Sequence, residues 1–210
     1  MNYQKKYNSS KDFFIDYNNN LSNVLKNEHF SELEKITKSL EKKIKLKNKI
    51  FVCGNGGSAS VSNHFLCDFN KGIKHSSNKK LLPRVISLVN SVDLITAISN
   101  DINYDEIFSE QLENYSEKDD VLIVLSCSGT SKNIIKAVKY AIKRKLDIIS
   151  FVGFGNNEFL RKSSKFYINL KTKNYGITED IFQAMMHMIS QYLRSKYSKN
   201  KINILWFKFI

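Results

Sequence analysis

The chain is poor in the residues that interrupt or staple a fold. Of its 210 residues only one is proline, Pro83, and three are cysteines, Cys53, Cys67 and Cys127. An odd number of cysteines with no metal-type spacing excludes a disulfide framework and fits a reducing, cytoplasmic compartment. No apolar run approaches the eighteen or so residues of a membrane span, so no membrane partner is expected. The first residues, MNYQKKYNSSKDFF, carry lysines but no apolar core segment, which argues against a signal peptide. There is no linker, low-complexity tract or solenoid period. Acidic residues are also scarce: 20 against 33 lysines and arginines, a net charge of +13. A basic field concentrates anions, phosphorylated metabolites among them. The lysines are spread along the chain, however, and the runs EKKIKLKNK and IKRK read as solvated helix faces or ends, so nucleic acid is not the expected partner.

What is present suits one globular domain over residues 1–210, with 42% hydrophobic and 25% charged residues. Residues 10–47 place apolar side chains at three-to-four spacing and read as helical. Five strand candidates follow: KIFVC (49–53), RVISLV (84–89), DVLIVLS (120–126), LDIISFVGF (146–154) and KFYINL (165–170). The third is nearly all apolar, as expected of a strand buried on both faces. Helical patterns at 58–71, 105–116 and 131–144 lie between them, and a long final helix runs over about 177–197. Alternation of strand and helix predicts a parallel α/β sheet with helices on both faces. The apolar end, INILWFKFI, reads as an added strand, an oligomer contact or a disordered end.

Two strand-to-helix junctions share a chemistry. One is Gly54-Asn55-Gly56-Gly57-Ser58; the other is Ser126-Cys127-Ser128-Gly129-Thr130-Ser131. Ligands of open α/β sheets bind beyond the carboxyl ends of the strands, where helix N-termini offer free N–H groups to phosphate. Gly54, Gly56 and Ala59 also satisfy G-x-G-x-x-A, the loose dinucleotide pattern. That pattern wants an acidic residue about twenty positions on, where this chain has SSNKKLL, so the nucleotide reading loses to a phosphosugar one. Cys127 reads as a weaker stand-in for a hydroxyl rather than as a reactive thiol, although a helix N-terminus can lower a thiol's pKa.

Taken in order, GNGGSAS…NHF…CDF, AISND, VLSCSGTSKNI and ITEDIFQAMMH resemble the sugar isomerase (SIS) domain family, more closely its phosphoheptose isomerase branch. The resemblance covers about residues 10–195. It implies a flavodoxin-like three-layer sandwich with a five-stranded parallel sheet, a homotetramer with active sites between subunits, zinc, and interconversion of sedoheptulose 7-phosphate and heptose 7-phosphate for surface polysaccharide. It implies substrate contacts from Asn55, Gly56, Gly57, Ser58, Asn100, Asp101 and Glu179, and a phosphate loop at Ser126, Cys127, Ser128 and Ser131. It also implies catalysis by Asp68 and His187 and metal ligation by His64, Asp68, Glu179 and His187; Gln183 lies between Glu179 and His187 on the last helix and is a fallback ligand. Two departures stand out. The resemblance implies glutamate where this chain has Asp68, and glutamine where it has Glu179. A non-catalytic phosphosugar-binding or replication-initiator-associating SIS protein therefore stays open beside the enzyme reading.

Overall fold

In a computed structural model the structure describes residues 6–155 and 157–198. The helical N-terminal stretch is two helices, α1 (Ser10–Val24) and α2 (Phe30–Lys45), separated by a 3₁₀ turn at Asn27–His29. Ser9 caps α1 by accepting from the Asp12 N–H. Helix α2 buries the stripe Leu33, Ile36, Leu40 and Ile44.

Each of the five expected strands is present: β1 (Lys49–Gly54), β2 (Arg84–Ser87), β3 (Val121–Ser126), β4 (Asp147–Val152) and β5 (Phe166–Asn169). They form one all-parallel sheet in the order β2-β1-β3-β4-β5, which is the flavodoxin-like order 2-1-3-4-5. Successive strand residues point to opposite faces, and the core divides accordingly. Ile50, Val52, Ile123, Leu125, Ile149 and Phe151 pack with α2, α3 (Gly57–Cys67) and α9 (Tyr175–Tyr197). Phe51, Cys53, Leu122, Val124, Ile148 and Val152 pack with α5 (Val92–Asp101), α6 (Ser109–Tyr115), α7 (Lys132–Arg144) and α8 (Glu158–Ser163). The three layers follow directly from period-two burial in strands with no polar face.

Three features differ from the sequence reading. Helices α5 and α8 were not expected. Helix α3 ends at Cys67 and the chain continues without a break into a π-helical segment, Asp68–Ile73, and the single turn α4 (Lys74–Ser76). The helix of 105–116 is a 3₁₀ turn at Tyr104–Glu106 followed by α6. The apolar end INILWFKFI lies outside the described residues.

The C-terminal helix is tied to α2 by Glu41. That carboxylate takes Lys45 Nζ at 2.7 Å, Lys196 Nζ at 2.7 Å and the Tyr197 hydroxyl. Burial acts to raise its pKa, but these three donors outweigh it and bring it to about 2.

Candidate active site

Strands β1 and β3 are neighbours, yet the chain leaves them in opposite directions along the sheet. Their carboxyl ends therefore flank the topological switch point, where open α/β sheets bind ligands. The β1–α3 and β3–α7 loops meet there. Asn55 and Asn133 lash them together by reciprocal amide bonds, Asn55 Nδ2 donating to Asn133 Oδ1 at 3.0 Å and Asn133 Nδ2 to Asn55 Oδ1 at 2.8 Å. Asn133 is buried, and the sequence reading missed it; the signal was its place two residues after the Ser-rich loop. The Tyr104 hydroxyl adds a third bond to Asn55, at 3.0 Å.

A pocket of about 260 Å³ opens between the loops. Its walls include Asn55, Gly56, Ser58, Ser126, Cys127, Ser128, Ser131 and Glu179, all read from the sequence, and Tyr175, which was not. In α3 the Ser58 and Ala59 N–H groups already bond the Asn55 and Gly56 carbonyls, at 3.1 and 3.0 Å; α7 has no cap from Ser131 and Ile134 N–H bonds Asn133 Oδ1 at 2.9 Å, which leaves the Lys132 and Asn133 N–H groups to meet an anion. Gly56 has φ +56°, a region that favours glycine. Gly54 is needed for a different reason. A Cβ there would lie 2.7 Å from Ser58 Cβ and 2.9 Å from the Leu125 carbonyl oxygen. Gly54→Ala is therefore expected to lower unfolding free energy by about 1–3 kcal/mol, read as a reduced urea midpoint.

Glu179 enters this pocket from α9. Its carboxylate sits against Gly57, where a Cβ would come within 2.2 Å of Oε2, and against Cys127 Sγ at 3.9 Å. Burial, the largest cause, raises the Glu179 pKa; the Cys127 thiol and the Ser58 N–H pull it down, and the charge of Asp180 adds to the rise. Burial likewise pushes the Cys127 thiol up to about 11. At neutral pH it is a protonated thiol packed 3.7 Å from the Ser58 hydroxyl.

A second cluster lies further along α9. His64 Nε2 and His187 Nε2 are 3.0 Å apart, and Asp68 faces both, Oδ1 at 3.6 Å from His64 and Oδ2 at 3.6 Å from His187. His64 and Asp68 share a helix face across the junction of α3 with the π-helical segment. Asp68 is buried and accepts from the Ser190 hydroxyl at 3.1 Å. Gln183 places its amide 2.9 Å from His187 Nε2. A neutral imidazole nitrogen offers either one N–H or one lone pair, so His187 Nε2 cannot accept from the His64 ring and the Gln183 amide at once. Ligands about 2.0–2.1 Å from a tetrahedral zinc lie about 3.3 Å from one another; the observed 3.0 and 3.6 Å bracket that spacing. His64, Asp68 and His187 thus form a donor set fit for a divalent cation.

Glu179 is not part of that set. It stands eight residues before His187, about 12 Å along the helix, and its carboxylate turns to Gly57 and Cys127 instead. The four expected ligands reduce to three, with Gln183 beside them. Asn100 and Asp101 do not line the pocket either: both are exposed at the end of α5, bonded to each other at 2.9 Å. Gly57 backs the pocket rather than lining it.

A parallel sheet of this order, with a Ser-rich loop at its switch point and a histidine–carboxylate cluster further along α9, defines an open α/β domain with a ligand pocket at the carboxyl ends of its strands. The family model described as SIS domain matches residues 12–153, and the chain belongs to the SIS domain family. Among curated proteins it is similar to the phosphoheptose isomerase of Colwellia psychrerythraea, 40% identical over 111 residues, which are 53% of this chain and 55% of that one. To the phosphoheptose isomerase of Helicobacter pylori it is 35% identical over 147 residues, 63% of this chain and 75% of that one. The chain thus spans about half the length of the first of these relatives. Among solved structures, the phosphoheptose isomerase of Neisseria gonorrhoeae superposes with a TM-score of 0.77 at 23% identity, covering 89% of this chain and 97% of that one. That of Francisella tularensis gives 0.75 at 22% identity, covering 89% and 96%. These two likenesses establish the fold.

Proposed function

We propose that the chain is an aldose–ketose isomerase of a phosphosugar, converting sedoheptulose 7-phosphate to D-glycero-D-manno-heptose 7-phosphate for heptose-containing surface polysaccharide. The observation that carries this reading is the pairing of two sites on one helix: an anion pocket near Glu179 and the His64–Asp68–His187 cluster about two turns on. A separation of roughly 12 Å along α9 suits a long, extended phosphosugar rather than a three-carbon one. The phosphate binds Ser126, Ser128, Ser131 and the free N–H groups of α7. Asn55 and Ser58 orient sugar hydroxyls, with Asn100 and Asp101 contributing through the surroundings of a second subunit in a homotetramer.

At the far end Asp68 takes the proton from the carbon next to the carbonyl and returns it to the neighbouring carbon. His187 moves the matching proton between the two oxygens. Each such group contributes about 10² to 10⁴ in rate. Zinc held by His64, Asp68 and His187 would polarise the carbonyl. The domain works in the cytoplasm in this reading; among the described residues no helix is long and apolar enough to cross a membrane.

The direct test incubates the full chain with sedoheptulose 7-phosphate, with and without zinc, and follows aldose formation by NMR. Turnover is expected; none from a folded, zinc-loaded protein would leave the non-catalytic phosphosugar-binding reading in its place. For the cation, elemental analysis should find zinc in the wild type and little in His64→Ala. Equal content in both would remove His64 from the ligand set.

A further inference from the structure

The hydrogen bonds between the two loops have a direction. Asn133 is buried, and its Oδ1 accepts from the Ile134 N–H at 2.9 Å. A backbone N–H can only donate, so this bond fixes which end of the Asn133 amide is the oxygen. That oxygen also takes Asn55 Nδ2 at 3.0 Å, and Asn133 Nδ2 must then donate to Asn55 Oδ1, at 2.8 Å. The Tyr104 hydroxyl donates to the same Asn55 oxygen at 3.0 Å. A carbonyl oxygen has two lone pairs, and both of those on Asn55 are taken. Of the two hydrogens on Asn55 Nδ2, one goes to Asn133 and the other has no partner among the described residues. Resting on the phosphosugar reading of the pocket, we propose that Asn133 and Tyr104 are positioning residues that make Asn55 a dedicated donor, whose remaining N–H holds an acceptor oxygen of the ligand, on the phosphate or on the sugar.

Three separate segments build this device. Asn55 follows β1, Asn133 is the second residue of α7, and Tyr104 opens the 3₁₀ turn before α6. The turn is held to α7 by the ion pair of Glu106 with Lys136, and the Ser109 hydroxyl also bonds Glu106. Tyr104 is 53% exposed, so packing is a small part of what it does, and its hydroxyl is what reaches the pocket wall. Asn55 lines the pocket beside Ser126, Ser128 and Ser131. Those hydroxyls can turn to donate or accept. Asn55 cannot, because both ends of its amide are held. A donor fixed before the ligand arrives has little freedom left to lose on binding.

Titration calorimetry of the full chain, with sedoheptulose 7-phosphate and with inorganic phosphate, tests this. Tyr104→Phe removes one hydroxyl from an exposed ring, and Asn133→Ser removes the buried amide. Each should weaken sedoheptulose 7-phosphate binding about two- to tenfold, the worth of one hydrogen bond. In an Asn55→Ala background the same substitutions should cost nothing further, because their effect passes through Asn55. A residue that merely held the fold together would cost the same in both backgrounds. A parallel loss with inorganic phosphate puts the acceptor oxygen on the phosphate; a loss confined to the sugar phosphate puts it on the sugar. Either supports the proposal. Equal losses with and without Asn55 would overturn it. So would wild-type affinity in Tyr104→Phe, a surface change that leaves the buried amide in place should Asn133→Ser fail to fold. Wild type that binds neither ligand would overturn the phosphosugar reading itself, and the donor role of Asn55 with it.

Discussion

Asp68→Asn is expected to lower kcat for the isomerisation by about 10²- to 10⁴-fold, the range of one positioned proton-transfer group. The substitution keeps the volume and keeps an oxygen that can accept from Ser190, which now lies 3.1 Å from Oδ2. It removes the base. Asparagine can neither take a proton from carbon nor balance the two histidines that face Asp68 at 3.6 Å. Because the proposed phosphate pocket, with Ser126, Ser128 and Ser131 in its walls, is separate from Asp68, KM should change little, and kcat and kcat/KM should fall together. Zinc content divides the two roles open to this carboxylate. If kcat falls with zinc retained, Asp68 is the base; if zinc leaves as well, its part is ligation. Asp68→Glu supplies the residue that the family resemblance implies and should retain turnover. Unchanged kcat in Asp68→Asn would reject the assignment.

How far the sequence foretold this arrangement depends on what each segment buries. The five strands were legible because β1, β3 and β4 are covered on both faces, which leaves no place for polar residues in VLIVLS or in IISFV. Helices α5 and α8 were not. Of α5 only Ile98 is buried and Val92 is 70% exposed, so its apolar residues trace no stripe. Helix α8 has six residues, too few for a period to show. The widening at Asp68–Ile73 leaves no trace in a pattern read at 3.6 residues per turn. At the site, residues whose role follows from backbone chemistry (the glycines and hydroxyl side chains of the two loops) were found. Those defined by a partner far away in sequence were not. Asn133 matters through Asn55, 78 positions earlier, and Glu41 through Lys196 and Tyr197 at the other end of the chain. The placement of Glu179 was within reach of arithmetic, since eight residues of helix put it too far from His187 to share one ion.

Glu179→Gln, which restores the side chain that the family resemblance implies, should tighten phosphosugar binding about tenfold or more near neutral pH. The pocket that would receive the phosphate has no lysine or arginine among its described lining residues, and its one ionisable carboxylate is Glu179. Two like charges about 6 Å apart at an effective dielectric of about 20 repel by about 3 kcal/mol, so even half of that is about a tenfold loss of affinity. Burial already raises the Glu179 pKa, with Asp180 adding to the rise against the Cys127 thiol and the Ser58 N–H. A bound phosphate would raise it further, and binding then takes up a proton. The sign follows. Wild-type affinity should fall as pH rises through the raised pKa, while the glutamine variant should show only the titration of the phosphate itself. The same shift acts on folding. The neutral carboxyl is favoured in the folded state, so its contribution is complete below the ordinary glutamate value and is lost as pH rises through the folded one. Urea midpoints of wild type should therefore decline relative to Glu179→Gln over that window. Titration calorimetry with inorganic phosphate in two buffers of different ionisation enthalpy measures the proton uptake directly. Equal uptake in wild type and Glu179→Gln would show that the carboxylate does not sense the anion.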